Sequence, residues 1–356
     1  YFFRLSKYSD EIKKKIKDGD LKIVPDERKH EILALLEEGL KDVSFSRPRK
    51  ILQWGIEVPD DPEQVMYVWC DALSNYITGI GYESENEQFK TFWPADVHLI
   101  GKDILRFHAA IWIGMLMSAR IALPKAIYVH GFITSEGQKM SKSLNNVVDP
   151  VAVVNQYGQD ALRYYLLKEI PTTGDGDFSK ERFQTIFDSE LADTIGNLVS
   201  RVLAMTHKYF EGSIPKSNEI SEVFSAKLKQ LWQDYDSDIE AFDLKHALER
   251  VLELAVAANQ YVEAQKPWIL AKTNRELLAN VIYNLLEIIR QLGMLLLPFL
   301  PRTAGKILEC FGYECIECEL VYMQQSYEEA RKWGFLEAQK VVKKCDVLFP
   351  KQKFPN

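Results

Sequence analysis

No apolar run in this sequence is long enough to cross a bilayer. The longest, Ala109–Met117 and Leu292–Leu300, fall well short of the roughly 18 to 20 residues a spanning helix needs, so no membrane segment is expected. The first residues, Tyr1-Phe2-Phe3-Arg4-Leu5-Ser6-Lys7, lack the basic start and long apolar stretch of a signal peptide. Cysteine is scarce: five residues, odd in number and scattered, do not form a secreted disulfide framework and fit a reducing cytoplasm. Positive charge is not in excess either. With 44 basic against 51 acidic residues the net charge is −7, which excludes a polyanion binder working by bulk charge; any nucleic-acid contact has to come from local patches. No internal repeat is visible.

What is present points to a soluble, multidomain globular protein. The 356 residues exceed one ordinary core, and a balance of 47% apolar to 27% charged residues suits two or three packed units. Residues 1–42 carry helical spacing, with Leu5, Tyr8, Ile12 and Ile16 on one face and Ile32, Leu33, Leu36 and Leu40 on another, predicting two short helices. Across residues 43–135 strand and helix alternate. Val65–Trp69 reads as a strand feeding a helix over Ala72–Ile80; Asp96–Gly101 is a strand ending at a glycine, Ile104–Ala119 a helix, and Ala126–Gly131 another strand ending at a glycine. This recurrence predicts an α/β half domain with a parallel, Rossmann-like sheet. Residues 136–178 read as a loop and connector, closed by the Gly/Pro/Thr stretch Ile170–Phe178. Residues 179–340 hold long 3.6-period patterns and predict a helical bundle. The basic tail, 341–356, is expected to be loosely held.

The strongest chemical signal is Lys139-Met140-Ser141-Lys142-Ser143, bracketed upstream by Gly131 and Gly137 and followed by Leu144-Asn145-Asn146. Two lysines three apart on a mobile loop can swing over a polyphosphate and meet the charge that develops when an α-phosphate is attacked. Taken alone, the five residues read first as a solvated Lys/Ser turn.

The pentapeptide resembles the second signature of class I aminoacyl-tRNA synthetases, and its neighbours resemble methionyl-tRNA synthetase. The likeness runs over nearly the whole chain, in seven blocks: Tyr1–Tyr8, Ser44–Arg47, Tyr67–Tyr76, Trp93–His108, His130–Pro150, Leu191–Arg201 and Asn259–Lys272. It implies a methionine-binding slot lined by Trp69, Ala72, Leu73 and Tyr76, completed by Ile104 and His108. The first four share a helix face by their spacing, which an amphipathic core helix would share. An aromatic slot suits a polarizable thioether.

The resemblance also places the ATP ribose at Gly101 and Asp103, with Lys139, Met140, Ser141, Lys142 and Ser143 over the phosphates and Arg47 organising the activation site. A glycine at a strand's carboxyl end followed by an acid is where open α/β sheets bind nucleotides, although such an acid is also a common helix cap. Asn197, Arg201 and Trp268 correspond to residues that read the CAU anticodon of tRNA(Met); an ion pair and a buried Trp would account for the same residues. Departures from the family pattern are Cys70 in place of leucine, Ala109–Met115 in place of the usual helix sequence, and Asn145 where a glycine commonly follows the lysine loop.

The implied activity is methionine–tRNA ligation in protein biosynthesis, with methionine, ATP with Mg²⁺ and tRNA(Met) as partners. Other class I synthetases, for Cys, Leu, Ile or Val, and a non-catalytic tRNA-binding module are the alternatives. Cys310, Cys315 and Cys318 invite a zinc reading, but a closed site needs four ligands and no His lies nearby, so no metal is expected in this chain. None of the six histidines stands in the His-x-Gly-His signature of the class. The first catalytic half is therefore expected upstream in cis, and the chain by itself is expected not to activate methionine.

Overall fold

The computed structural model describes residues 1–82, 87–141, 146–171, 173–217, 222–316, 320–322 and 327–352. The chain divides into two compact units, residues 1–132 with 173–175, and residues 133–172 with 176–356.

The first unit is built on a parallel sheet. It comprises β1 (Phe2–Phe3), α1 (Ser9–Asp18), β2 (Lys22–Val24), α2 (Asp26–Glu38), β3 (Val43–Ser44), β4 (Ser46–Pro48), β5 (Glu57–Val58), β6 (Asp61–Met66), α3 (Val68–Thr78), α4 (Glu87–Phe92), β7 (Val97–Gly101), α5 (Ile113–Ala119) and β8 (Ala126–His130). The sheet order is β2-β8-β7, every pair parallel, so the α/β expectation holds. The two short helices expected in the first 42 residues are α1 and α2, but the chain between them, not expected to be a strand, forms β2, which joins the central sheet beside β8. Three residues between two helices are too few to show a period of two. The Val65–Trp69 stretch differs too: its strand ends at Met66 and pairs antiparallel with β4 and β5, while Trp69 already lies in α3.

Between β7 and α5 the backbone is not a plain helix. A 3₁₀ turn over Lys102–Ile104 leads, through Leu105 and Arg106, to a π-helical stretch over Phe107–Trp112. Such wide turns re-aim side chains and recur at functional sites. Leu5, Ile12, Ile16, Ile32, Ile100, Ile127 and Trp112 meet in one core, which fixes α1, α2 and the π-helical stretch on the sheet.

The second unit starts with a small sheet and continues as a bundle. Its sheet has the order β10-β9-β11, where β9 is Ile133–Ser135, β10 Gln138–Lys139 and β11 Gly176–Phe178. The helices are α6 (Pro150–Tyr157), α7 (Gln159–Lys168), α8 (Lys180–Ile186), α9 (Asn197–Phe210), α10 (Glu222–Glu240), α11 (Leu244–Gln265), α12 (Pro267–Thr273), α13 (Arg275–Leu296), α14 (Pro301–Glu309) and α15 (Tyr327–Ala330), with a short hairpin of β12 (Glu314–Ile316) and β13 (Leu320–Tyr322). Within the helical pattern expected over 179–340, a second π-helical stretch, Phe187–Gly196, stands between α8 and α9.

Helix α13 is buried on every side from Asn280 to Leu296, as a helix at the centre of a bundle must be. Its polar groups are satisfied inside the core: the Glu287 carboxylate lies 2.9 Å from the Arg290 guanidinium, and Gln291 Oε1 accepts from the Trp232 indole at 3.0 Å. The expectation of a loose tail is corrected. Val342, Leu348 and Phe349 are buried, and Lys343 N donates to the Cys310 carbonyl at 2.9 Å, so apolar burial outweighs the basic composition of that segment. No helix among the described residues is long and apolar enough to cross a membrane.

Candidate functional site

In the first unit, α3 and the π-helical stretch bring aromatic rings together. Tyr67 is extended, its N–H bonded to the Phe45 carbonyl at 2.8 Å, and the chain turns into α3 at Val68. Trp69 then stacks on Phe107, with centroids 3.9 Å apart, and meets the His108 ring edge-on at 6.2 Å. Two turns along, Tyr76 reaches the same histidine, its hydroxyl 2.9 Å from Nε2. Trp69, Tyr76 and His108 thus form one ring cluster, with half-buried Ile104 beside it, and the space over these rings is the candidate recess.

Ala72 is exposed, whereas Leu73 turns into the core and is 1% exposed. The four positions share a stripe about 100° wide, and Ala72 and Leu73 are its opposite edges, one facing solvent and the other the core. Cys70 is half-buried; burial, aided by neighbouring Asp71, pushes its thiol up and keeps it protonated.

Proton positions in the recess follow from its partners. His108 Nδ1 lies 3.0 Å from the Ile104 carbonyl, which can only accept, so Nδ1 carries the proton and Nε2 is bare. Tyr76 is therefore the donor in its bond to Nε2. Burial raises the Tyr76 hydroxyl and lowers His108, its bond to the Ile104 carbonyl pulling weakly the other way, so both are neutral at pH 7. The recess offers ring faces and a neutral hydroxyl, which suits an uncharged, polarizable side chain and disfavours a charged one.

Two residues here escaped the sequence reading. His98 on β7 accepts from the Trp112 indole, and Phe107 forms the stacking partner of Trp69. Phe107 was within reach of a helical count from His108; His98, one buried histidine in an alternating strand, looks like any core position.

At the carboxyl end of β7, a Cβ on Gly101 would stand 2.8 Å from Asp103 Oδ1, so the glycine leaves space that the carboxylate fills. Asp103 is exposed on the 3₁₀ turn, and the His130 ring lies next to the same glycine. Lys102 is not free to join it, being held at 2.6 Å by Asp175. Arg47 bonds its own hairpin, donating to the Ser46 carbonyl at 2.8 Å and to Ser44, with its guanidinium 4.3 Å from the Tyr67 ring centre.

In the second unit the lysine segment starts from a hairpin. Ser135 pairs with Gln138, and Glu136 and Gly137 both have positive φ, 51° and 75°, which is the two-residue turn that matches strand twist. Asp177 on β11 accepts from Thr134 Oγ1 at 2.6 Å and from Gly137 N at 2.8 Å. Lys139 is exposed at the end of β10, Met140 packs partly against the bundle core, and Ser141 N donates to Asn146 Oδ1 at 2.9 Å. Lys142, Ser143 and Asn145 lie outside the described residues.

Asn197 is exposed at the start of α9. One turn on, Arg201 pairs with Glu263 of α11 at 2.7 Å, and Trp268, 39% exposed, follows that helix on α12. Adjacent elements therefore carry all three. Among the described residues no three His, Cys, Asp or Glu side chains converge to hold a metal; Cys318 and the side chain of Cys315 lie outside them.

Residues 1–203 match the family profile of tRNA synthetases class I (M), and residues 213–353 match the anticodon binding domain of methionyl tRNA ligase. The methionine–tRNA ligase of Caldanaerobacter subterraneus subsp. tengcongensis is 43% identical over 99% of this chain and 54% of its own length; that of Thermotoga maritima is 42% identical over 99% and 55%. The crystal structure of Mycobacterium tuberculosis methionyl-tRNA synthetase bound by methionyl-adenylate superposes with a TM-score of 0.88 at 36% identity, covering 98% of this chain and 68% of that one. The apo form of the same enzyme gives 0.86. Coverage of 99% of this chain gives no support to the expectation of a missing first catalytic half, and the chain spans about half the length of the curated relatives it matches.

Proposed function

The chain belongs to the methionyl branch of the class I tRNA synthetases, and on that premise we propose that it serves methionine–tRNA ligation in the cytoplasm. The observation that carries this reading is the meeting of Trp69, Tyr76 and His108 in one neutral aromatic recess. A thioether fits there by shape and polarizability, with Ile104 and Ala72 at its margin.

In the proposed first step the methionine carboxylate attacks the α-phosphate of ATP in line, forming methionyl-adenylate and releasing pyrophosphate. Gly101 and Asp103 take the ribose. Lys139 and Lys142 supply positive charge to the departing phosphates, with Met140, Ser141 and Ser143 completing the loop, which lowers the barrier most where charge builds up. Arg47 holds the shape of its hairpin. Mg²⁺ neutralises triphosphate charge when bound. In the second step the terminal adenosine hydroxyl of tRNA(Met) attacks the adenylate's acyl carbon, giving methionyl-tRNA and AMP. Asn197, Arg201 and Trp268 read the CAU anticodon through amide, guanidinium and stacking contacts.

Amino-acid-dependent ATP–pyrophosphate exchange by the full-length protein tests the reading. Methionine is expected to drive exchange, and cysteine, leucine, isoleucine and valine are not. Exchange driven best by another of these would favour a sister synthetase, and tRNA binding with no exchange would favour a binding module. Lys142→Ala is expected to lower the activation rate far more than methionine affinity.

A further inference from the structure

Behind the rings that face the recess lies a buried histidine. His98 sits on β7, three residues before Gly101, and is 4% exposed. Alternation along the strand puts His98 and Ile100 inside and Leu99 out. The Trp112 indole N–H donates to His98 Nε2 across 3.1 Å. An indole nitrogen only donates, so this Nε2 is bare. The Tyr76 ring lies against the imidazole with centroids 4.3 Å apart, the Trp93 ring is 6.0 Å away and the His108 ring 6.3 Å. His98 is thus the common neighbour of four rings, two of which, Tyr76 and His108, face the recess.

We propose that His98 is a positioning residue of the amino-acid slot: as a neutral acceptor it fixes the Trp112 indole, and its ring face sets the tilt at which Tyr76 reaches His108. The proposal rests on the reading of the recess as a methionine slot. Trp112 is 1% exposed, so an indole N–H deprived of this acceptor would be left unpaired or would turn to find another partner. Turning the indole moves the ring that stands 6.0 Å from Tyr76. A protonated imidazole would set N–H against N–H, which requires the neutral form, and burial favours that form. Three residues of strand, about 10 Å, separate His98 from Gly101, so one rigid element spaces the slot from the ribose glycine.

The test uses the full-length protein with His98→Leu, which removes the acceptor, and His98→Gln, which keeps one. Exchange is measured against methionine and against ATP, and the Trp112 indole signal is followed in ¹⁵N-tryptophan-labelled protein, assigned with Trp112→Phe. H98L is expected to raise the methionine KM about tenfold with the ATP KM within about twofold, to shift the indole signal and speed its exchange with water, and H98Q to recover most of both. An unchanged indole signal, an unmoved methionine KM, or methionine and ATP KM rising together would overturn the role. If H98L does not fold, H98Q decides: methionine KM and indole signal close to the parent support the proposal, and a tenfold rise in methionine KM overturns it. A parent protein with no methionine-dependent exchange would overturn the slot reading itself, and this role with it; a shifted indole signal in H98L would then show that the tie to Trp112 exists without serving methionine.

Discussion

The Tyr76 hydroxyl donates to His108 Nε2 across 2.9 Å, and His108 Nδ1 donates in turn to the Ile104 carbonyl one helical turn back. The two bonds lock one tautomer of the imidazole and one orientation of the phenol. Tyr76→Phe leaves a buried acceptor without its donor, a loss of about 1–2 kcal/mol. The expected result is a methionine KM raised about 5- to 30-fold in pyrophosphate exchange, with little change for ATP. A variant with both constants at parent values would remove Tyr76 from the slot.

Gly101→Ala should act on the other substrate. The added methyl group would stand 2.8 Å from Asp103 Oδ1 and push the carboxylate from the strand end. The ATP KM is expected to rise about tenfold while the methionine KM stays within about twofold. Fold integrity can be checked by circular dichroism.

Asp177→Ala removes the acceptor that ties Thr134 and Gly137 of the lysine hairpin to β11. These bonds involve exposed groups, so the thermal midpoint should move little. Rapid-quench measurement of adenylate formation is expected to show a rate about tenfold lower, because the hairpin that starts the lysine segment is less well placed. An unchanged rate would argue that this brace is dispensable.

His98 gives a prediction for stability. Burial, with a smaller contribution from His108, lowers its pKa from 6.5 to about 4, and Tyr76 and His108 are the titratable groups whose rings lie against it. The unfolded chain binds the proton first as pH falls. The stabilisation is therefore complete above about pH 6.5 and is lost as pH drops toward 4, by on the order of 2–3 kcal/mol. His98→Gln abolishes that contribution while leaving the one from His108, which burial also lowers. Denaturant unfolding of parent and H98Q at pH 7 and pH 4.5 should show the larger loss in the parent; equal losses would mean that His98 titrates normally.

How much of this was legible in the linear chain varies by element. Spacing puts Trp69 and Tyr76 on one helix face, two turns apart, and Ile104 one turn from His108, but only the resemblance to the family implied that they share a slot. Leu73 shares the same arithmetic yet packs into the core, since spacing gives an angle on the helix and not the neighbour it meets. Strand β2 was invisible because three residues hold too little pattern, and its pairing partner β8 is about a hundred residues away. The segment after 341 looked loose by charge, while two aromatic and aliphatic side chains near its end decided otherwise.

Sequence alone determined the alternation that yields a parallel sheet followed by a bundle, and the family to which the lysine pentapeptide belongs, because local periodicity and residue chemistry are written in neighbouring positions. Tertiary structure alone decided that His98 would accept from Trp112, which imidazole nitrogens would be bare, and that Arg47 would spend its guanidinium on its own hairpin. Those outcomes depend on which groups meet after burial has removed water as a competing partner, and no pattern along the chain encodes that meeting.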